Sequence, residues 1–423
     1  MIKTAFFIIL SSFLFFGCEK FVEVGIPPNQ LSSKTTFDDE SGANSAVSAI
    51  YAALSTGSLS ANMQLAMEYY GGDLVYNGTA DNYVQFLNGS IQTDNSLISS
   101  FWNELYQNIY NCNTTIESLE RSHLTSDTKN RFRAECLFLR AFNYSFLVKC
   151  WGDVPLILDT DWQTNQSLGR SPEATVYEQM ASDLEEAKAL FDTNAVSDNT
   201  RANYYTATAL LSRIYFRMEN WEKAIENVNL TLSNTSYSME TVSNVFLNNS
   251  KETIFQLTSI SPSYQNTNLG QQMVPSVTTS IPTVGISASL VADLSDNDQR
   301  WQWIGTNEVQ ELPYYYPYKY KEGYFSTEKK ENLIVLRLAE QYLIRAMAHL
   351  KLDQSVDALN DLNVVRSRSA DVYETLSEAA ILKEMKLEFF AEWGIGNLHS
   401  INYWPIPLAQ LEANPFLTPT PGY

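Results

Sequence analysis

The chain has 423 residues, of which 44% are hydrophobic, 13% aromatic and 18% charged, a composition too rich in apolar side chains for a disordered protein. The net charge is −20, from 28 basic and 48 acidic side chains. This charge argues against nucleic-acid binding and against a basic membrane-binding face, both of which need clustered Lys and Arg, and it favours neutral or cationic partners.

The first 17 residues are predicted to be a signal peptide. Lys3 gives a positive start, and the apolar run over residues 5–16 is too short to span a bilayer, which takes about 20 residues. The run ends in Gly17-Cys18, which is similar to a bacterial lipobox, where the cysteine is lipidated and becomes the first residue. We therefore expect lipidation of Cys18. The alternative is an ordinary secretory peptide whose apolar run happens to end in Cys.

Three further cysteines are predicted to be buried thiols. Cys136 and Cys150 are fourteen residues apart on one predicted helix, about 21 Å along its axis. A disulfide needs Cα atoms within about 7 Å, so these two cannot bridge. Neither they nor Cys112 have the Cys and His spacing of a zinc site. The sequence predicts no metal and no cofactor.

Most of the remaining chain has helical periodicity. A helix is predicted over residues 41–53, followed by a Gly-, Asn-, Ser- and Tyr-rich loop region with short helices over 55–95. Further helices are predicted over 95–120, from the capping residue Thr125 to Gly152, and over 172–191. The fold class is therefore mainly α.

Two later segments resemble each other. Small or packing residues recur at offsets of 3, 9 and 4 in both, which is typical of tetratricopeptide-like helix pairs, where small side chains let two antiparallel helices approach. The two units are far apart in sequence, which predicts a helical scaffold with a long insertion rather than a free solenoid. The matching positions are Ser212, Tyr215, Ala224 and Val228 in the first unit, and Ala346, His349, Ala358 and Leu362 in the second.

The segment between these units has a different character. Residues 234–330 are rich in Ser, Thr, Asn and Tyr, with one short predicted strand over 251–257. The run of five tyrosines over 314–320 fits no helical stripe and contains Pro317, so we expect an irregular, partly exposed loop. Loops on a rigid scaffold are frequent binding sites.

Several motifs resemble the SusD/RagB family, the surface glycan-binding lipoproteins of Bacteroidetes nutrient-uptake systems. They occur in the same order as in the family and cover nearly the whole mature chain. The most specific are residues 139–156 and the ending over 405–423. The motifs are CEKFVEVGIPPNQ, FWNELYQNIYNCNTTIESL, AECLFLRAFNYSFLVKCWGDVPLI, LRLAEQYLIRAMAHL, ALNDLNVVRSR and YWPIPLAQLEANPFLTPTPGY.

This resemblance implies a tetratricopeptide-like helical scaffold with a loop-rich insertion, and a lipid anchor that holds the protein on the cell surface at the outer membrane. It implies a glycan ligand and a partner TonB-dependent outer-membrane transporter (SusC-like), which the protein would cap as a lid. The expected division is a signal peptide over 1–17, a helical region over 18–233 and a C-terminal region over 234–423. Alternatives are a peptide-binding lid and a tetratricopeptide-type adaptor.

One departure from the family pattern lies near the C-terminus. After Glu392-Trp393-Gly394 the chain reaches Pro405 within eleven residues, where the family has an Arg-rich stretch and a longer connection. The expected consequence is a local change in the packing of the C-terminal region.

No catalytic motif is apparent, and we expect a protein that is not an enzyme. A glycosidase needs a carboxylate pair at a defined separation, and no pair among the 48 carboxylates is singled out. The acidic segment over 293–298 resembles a calcium loop, but the twelfth position is Ile304 rather than Glu. An Asx-rich turn is the expected structure there.

The candidate ligand-binding residues are aromatic rings in the two loop-rich regions. A sugar presents C–H faces that stack on aromatic rings, and hydroxyls that suit Asn, Gln and Asp. We expect Trp301 and Trp303 to share one face of an extended segment. Contacting residues vary among members of the family, so none is assigned by motif. The candidates are Tyr69, Tyr70, Tyr76 and Tyr83 in the early region, and Trp301, Trp303, Tyr314, Tyr315 and Tyr316 in the late one.

Overall fold

The computed structural model describes residues 36–193, 199–259, 266–322, 326, 328–392 and 402–423. The predicted signal peptide, Cys18 and the departure after Glu392 lie outside these ranges. The described part is mainly helical, which confirms the predicted fold class. None of its helices is both long and apolar enough to cross a membrane.

The fold consists of helices and a few short strands. The helices are α1 Glu40–Thr56, α2 Asn62–Gly71, α3 Asp81–Leu87, α4 Ser96–Arg121, α5 Ser126–Trp151, α6 Trp162–Asn165, α7 Glu173–Leu190, α8 Tyr204–Arg217, α9 Trp221–Leu232, α10 Asn268–Met273, α11 Ala288–Asp293, α12 Leu338–Lys351, α13 Ser355–Arg366, α14 Glu378–Phe389 and α15 Leu408–Ala413. The strands are β1 Leu74–Tyr76, β2 Thr253–Leu257, β3 Val284–Ile286, β4 Ile304–Val309, β5 Leu312–Pro317 and β6 Leu333–Arg337.

The two longest helices begin and end at residues with specific capping roles. Asn95 caps α4 by accepting a 2.9 Å hydrogen bond from the Leu97 amide, and the Thr125 hydroxyl accepts one from Thr128 at the start of α5. Helix α5 ends at Gly152, whose φ of +68° favours glycine. A Cβ there would lie 2.7 Å from the Tyr403 ring. The predicted boundaries of both helices are confirmed.

The two repeat-like units form helical hairpins that lie side by side. Helices α8 and α9 form the first unit, α12 and α13 form the second, and α9 packs directly on α12. The Ser212 hydroxyl donates to the Gln341 side chain across the two units at 2.7 Å. The small residues Ala224, Ala346 and Ala358 are fully buried, as helices in close approach require. Units distant in sequence are therefore neighbours in one scaffold.

The three cysteines of the helical region are free and buried, as predicted. Burial raises the pKa of Cys112 and of Cys150 to about 12 and raises that of Cys136 as well. Each thiol is therefore protonated at neutral pH and acts as a small apolar side chain.

The insertion begins and ends close to one strand pair. Strand β2 pairs antiparallel with β6, and Leu257 lies opposite Leu333. Both strands are buried along their whole length. The chain therefore leaves the scaffold after α9 and returns to α12 through a buried two-stranded sheet.

Tyr314, Tyr315 and Tyr316 of the tyrosine run lie in a strand, so the prediction of an irregular loop was wrong for these three residues. Strand β5 pairs antiparallel with β4 from Val309 opposite Leu312 to Ile304 opposite Pro317. The turn between the strands has φ of +52° at Gln310 and +67° at Glu311, the conformation of a tight hairpin turn.

A buried network of charges joins β6 to the C-terminal helices. All five N–H groups of Arg337 have an acceptor. Nε donates to the Glu392 carboxylate, and Nη1 donates to the carboxylates of Glu252 and Glu388. Nη2 donates to the Glu392 carboxylate and to the backbone carbonyl of Glu388. Burial alone would raise the pKa of Glu388, but Arg368, Arg337 and neighbouring cations lower it to about 2. Glu388 is therefore ionised at neutral pH, and the network is structural.

The acidic segment over 293–298 uses its carboxylates within the fold. Asp298 caps a short 3₁₀ helix over Gln299–Trp303 and binds the Arg300 guanidinium at 2.9 and 3.0 Å. Asp293 binds Lys386 at 2.9 Å. Among the described residues, no group of three or more His, Cys, Asp and Glu side chains forms a metal-binding arrangement.

Candidate functional site

Strand β3 brings the early and late aromatic regions together. Its residue Val284 lies opposite Tyr76 of β1, and Asn77 extends the pairing by donating its amide N–H to the Thr283 carbonyl at 2.8 Å. Strand β3 also packs against β5. A Cβ at Gly285 would lie 3.7 Å from the Tyr315 carbonyl oxygen. Strand β3 therefore lies between β1 and β5, paired with the first and packed against the second.

Four candidate rings are partly exposed on β1, α3, the 3₁₀ helix and β5, and we call them the aromatic surface: Tyr76, Tyr83, Trp301 and Tyr315. Tyr314 is also partly exposed, but successive side chains of a strand point to opposite faces, so it lies on the other face of β5 from Tyr315.

The early half of the aromatic surface is the pair Tyr76 and Tyr83, which packs against the buried Tyr69 ring. The ring centroids of Tyr76 and Tyr83 are 5.1 Å apart, and Tyr69 lies 5.5 and 5.8 Å from them. The Tyr76 ring lies over Gly78, where a Cβ would approach it to 2.4 Å, and its hydroxyl accepts from the Ala80 amide at 3.3 Å. Burial and the nearby Tyr76 raise the pKa of Tyr83 to about 12. Both rings are fixed before any ligand arrives.

The late half is formed by the 3₁₀ helix and the β4–β5 hairpin. The rings of Trp301 and Tyr315 are 5.8 Å apart and tilted by 58°. The Trp301 indole donates to the Ser295 carbonyl at 3.0 Å. Gly305 of β4 lies opposite Tyr316 of β5, and the Tyr316 ring covers this glycine. A Cβ at position 305 would lie 2.1 Å from Cζ of Tyr316. Only glycine at 305 leaves room for this arrangement.

Trp303 does not share a face with Trp301, and the predicted extended segment was wrong. A 3₁₀ helix has three residues per turn, so positions i and i+2 point in different directions. The Trp303 side chain is 1% exposed, donates to the Val242 carbonyl at 2.8 Å and contacts the Phe246 ring edge-on. The Lys319 ammonium lies 4.6 Å from its ring centroid.

Two other candidates are buried, and a third belongs to another cluster. Tyr69 is 2% exposed and Tyr316 is 9% exposed, so neither offers a free face. Tyr69 packs against Tyr76 and Tyr83, whereas Tyr316 packs over Gly305 and against Tyr318. Tyr70 packs edge-on against Trp404 and donates to the Asn402 carbonyl at 2.9 Å. The structure therefore places Tyr70 against the C-terminal segment.

Uncharged polar side chains surround the aromatic surface. Thr79, Gln302, Thr306 and Gln310 are exposed, and Thr306 lies opposite Tyr315. The Asn307 amide ties the hairpin to the preceding loop by donating to the Val277 and Ser280 carbonyls at 3.0 and 2.8 Å. Rings flanked by hydroxyls and amides can bind a ligand that has both apolar faces and hydrogen-bonding groups.

Gly78, which lies under the Tyr76 ring, and Gly305, which lies under the Tyr316 ring, were not predicted from the sequence. Gly78 and Gly305 occur within segments that also hold strand residues, and glycine at such positions indicates a close approach of other groups to the backbone. The flanking Thr and Gln residues have no comparable signal, because such residues occur throughout the insertion.

Stacked helical hairpins joined by a long insertion, with partly exposed aromatic rings beside them, define a tetratricopeptide-like scaffold protein. A family model described as "Starch-binding associating with outer membrane" matches residues 21–216, and the model of the SusD family matches residues 165–396. The second match covers more than half of the chain. The chain belongs to the SusD family.

Curated relatives match part of the chain. SusD-like protein P25 of Formosa agariphila is 25% identical over 53% of this chain, and SusD-like protein P2 of the same organism is 28% identical over 55%. These alignments span 45% and 46% of the two relatives, so the chain matches slightly less than half of their length.

Solved structures share the fold along nearly the whole chain. A SusD superfamily protein from Bacteroides thetaiotaomicron superimposes with a TM-score of 0.79 at 23% identity, covering 90% of this chain and 99% of that one. A laminarin-binding SusD-like protein superimposes with a TM-score of 0.78 at 21% identity, covering 92% and 100%. At these identities the likeness establishes the fold.

Proposed function

We propose that this protein is a cell-surface lipoprotein that binds a glycan on its aromatic surface and delivers it to a TonB-dependent outer-membrane transporter. The observation that carries the proposal is that partly exposed rings from two distant segments lie on or beside β1 and β5, which both contact β3. Membership of the SusD family and the fold shared with a laminarin-binding protein support it.

The geometry suits stacking against sugar rings. Tyr76 is held over Gly78, and Trp301 is held by its indole hydrogen bond. Rings that are fixed in advance lose little conformational freedom on binding, which favours affinity. The exposed amides and hydroxyls beside them offer partners for sugar hydroxyls without the cost of burying a charge.

The test measures binding of laminarin, soluble starch and a tryptic casein digest by isothermal titration calorimetry. Trp301→Ala and Tyr76→Ala are expected to weaken glycan binding about tenfold each, or about 1.4 kcal/mol. Trp162→Ala is the matched control, because this Trp is 66% exposed but lies on α6 of the scaffold. Circular dichroism establishes that each variant is folded.

Wild-type affinity in both surface variants would place the ligand elsewhere. Binding of casein peptides with no binding of either glycan would favour a peptide-uptake lid instead.

The anchor and the partner are tested separately. Replacing the thiol in Cys18→Ala removes the atom that carries the lipid, so the variant is expected in the soluble fraction after cell lysis. Recovery of this variant with membranes would contradict the lipoprotein proposal. The wild-type protein is expected to co-purify with a TonB-dependent barrel after detergent extraction, and purification without such a barrel would contradict the partnership.

A further inference from the structure

The two segments that build the aromatic surface contain almost no basic residues. Residues 36–120, which include β1 and α3, have no Lys, Arg or His. Residues 266–318, which include β3, the 3₁₀ helix and the β4–β5 hairpin, have only Arg300. Of the 28 Lys and Arg residues in the chain, these two segments therefore supply one guanidinium.

That guanidinium faces inward. Arg300 is 0% exposed, with Nε and Nη2 donating to Asp298 and Nη1 donating to Glu384 at 2.8 Å. Its charge is neutralised within the fold, and it is not accessible to a ligand.

The cations on adjoining elements are also engaged. Lys386 of α14 binds Asp293 and Ser289 of α11 at 2.9 and 3.0 Å. Lys319 is buried behind Trp303 and donates to the Glu388 carbonyl at 2.7 Å. Lys321, past the end of β5, is exposed and lies 5.3 Å from the Tyr318 ring centroid. None of these ammonium groups contacts a ring of the aromatic surface.

The exposed charges that do lie on the surface elements are acidic. Asp81 opens α3, while Glu308 and Glu311 lie on the β4–β5 hairpin. A sulfate or carboxylate on a ligand would meet these carboxylates without a cation to pair with. Proteins that bind such groups supply Arg or Lys for them, whereas a neutral sugar needs only rings, hydroxyls and amides.

We propose that the aromatic surface selects uncharged glycans and rejects those that carry sulfate esters or uronic acids. This inference rests on the proposed function, because it names the ligand class of the same surface. It follows from where the charges lie and not from the total charge alone, since an acidic protein can still carry a basic site.

The experiment compares neutral polymers with their own anionic derivatives. Laminarin and soluble starch are each assayed beside a partly sulfated preparation of the same polymer, at about 10 mM and about 500 mM salt. The neutral polymers are expected to bind with little dependence on salt. The sulfated ones are expected to bind about tenfold more weakly at low salt, and the difference should shrink at high salt, where the screening length falls below about 5 Å.

A charge-reversal variant tests whether the hairpin carboxylates cause the rejection. Glu308→Lys with Glu311→Lys is expected to raise affinity for the sulfated polymers about tenfold at low salt. Glu178→Lys with Glu226→Lys makes the same change in net charge on exposed positions of α7 and α9 and is expected to change this affinity much less.

The outcomes separate this inference from the proposed function. Binding of sulfated polymers as tightly as neutral ones would overturn the inference and leave glycan binding intact. Equal effects of the two charge reversals would assign the selection to net charge and also overturn it. A protein that binds none of these polymers would refute the proposed function, and this inference with it.

Discussion

Replacing Arg337 with Ala tests whether the buried charge network holds the C-terminal region together. Arg337 ends β6, and its five N–H groups are all bonded to Glu252, Glu388 and Glu392. Its removal takes one positive charge away from these buried carboxylates and breaks the hydrogen bonds that join α14 to the β2–β6 strand pair.

The magnitude follows from the burial of both partners. Removing one member of a buried ion pair typically costs about 3–5 kcal/mol, because the charge that remains is uncompensated. With an unfolding entropy of about 2 cal/mol/K per residue, a chain of this size should lose roughly 5 °C in melting temperature. The pKa of Glu388 is lowered to about 2 in the native fold. Its stabilising contribution is therefore complete above the unfolded pKa of about 4.5 and is lost as the pH falls towards 2.

Differential scanning fluorimetry at pH 7 and at pH 4 measures both effects. Arg131→Ala is the matched control, because Arg131 pairs with Glu40 while both side chains are about half exposed, and exposed pairs contribute less than about 1 kcal/mol. Arg337→Ala is also expected to raise the pKa of Glu388, so the variant should lose further stability at a higher pH than the wild type does. Equal melting temperatures for Arg337→Ala and Arg131→Ala would refute the reasoning.

Three further predictions concern individual sites. Trp303→Ala should cost about 3–5 kcal/mol in urea unfolding, because the indole is buried and donates to Val242; a loss below about 1 kcal/mol would contradict its burial. Gly305→Val should destabilise the hairpin by about 1–3 kcal/mol through its clash with the Tyr316 ring, and Tyr316→Ala in the same chain should relieve part of that loss. Burial and the nearby Asp73 carboxylate raise the pKa of Glu68 to about 8. The folded state thus keeps a proton that the unfolded state releases, and stability falls as the pH rises from 4.5 to 8. Glu68→Gln should flatten this dependence in melting curves between pH 5 and 8, and an unchanged slope would refute the assignment.

The helical scaffold was predictable from sequence because its signals are local. Asn95 and Thr125 mark helix starts, and Gly152 marks a helix end through its backbone conformation. Seven of the eight residues that the offsets identified in the two repeat-like units are buried, and the eighth, His349, is half-buried. Each of these signals depends on a few residues within one helix or one turn.

The hairpin was not predictable because its turn lacks the usual residues. A two-residue turn with positive φ normally has Asn-Gly or Asp-Gly, whereas this one has Gln310-Glu311. Pro313 and Pro317 also argue against a strand, although the tyrosines between them favour one. The prolines lie near or at the ends of β5.

The site was predictable only as two sets of rings. Whether Trp301 or Trp303 faces outward depends on a short 3₁₀ helix, for which neither periodicity nor composition gave a signal. The pairing of β1 with β3, which brings the two sets together, joins segments about 210 residues apart. Short strands of three residues carry too little pattern to indicate such a partner.

The closure of the insertion by β2 and β6 has an evolutionary consequence. About 100 residues lie between the end of α9 and the start of α12, yet these two helices touch. With the ends held together by a buried strand pair, doubling the length of the intervening chain adds only about 0.6 kcal/mol of closure entropy. Related chains can therefore exchange, lengthen or shorten this segment, and so change what they recognise, while the helices beneath it keep the same packing.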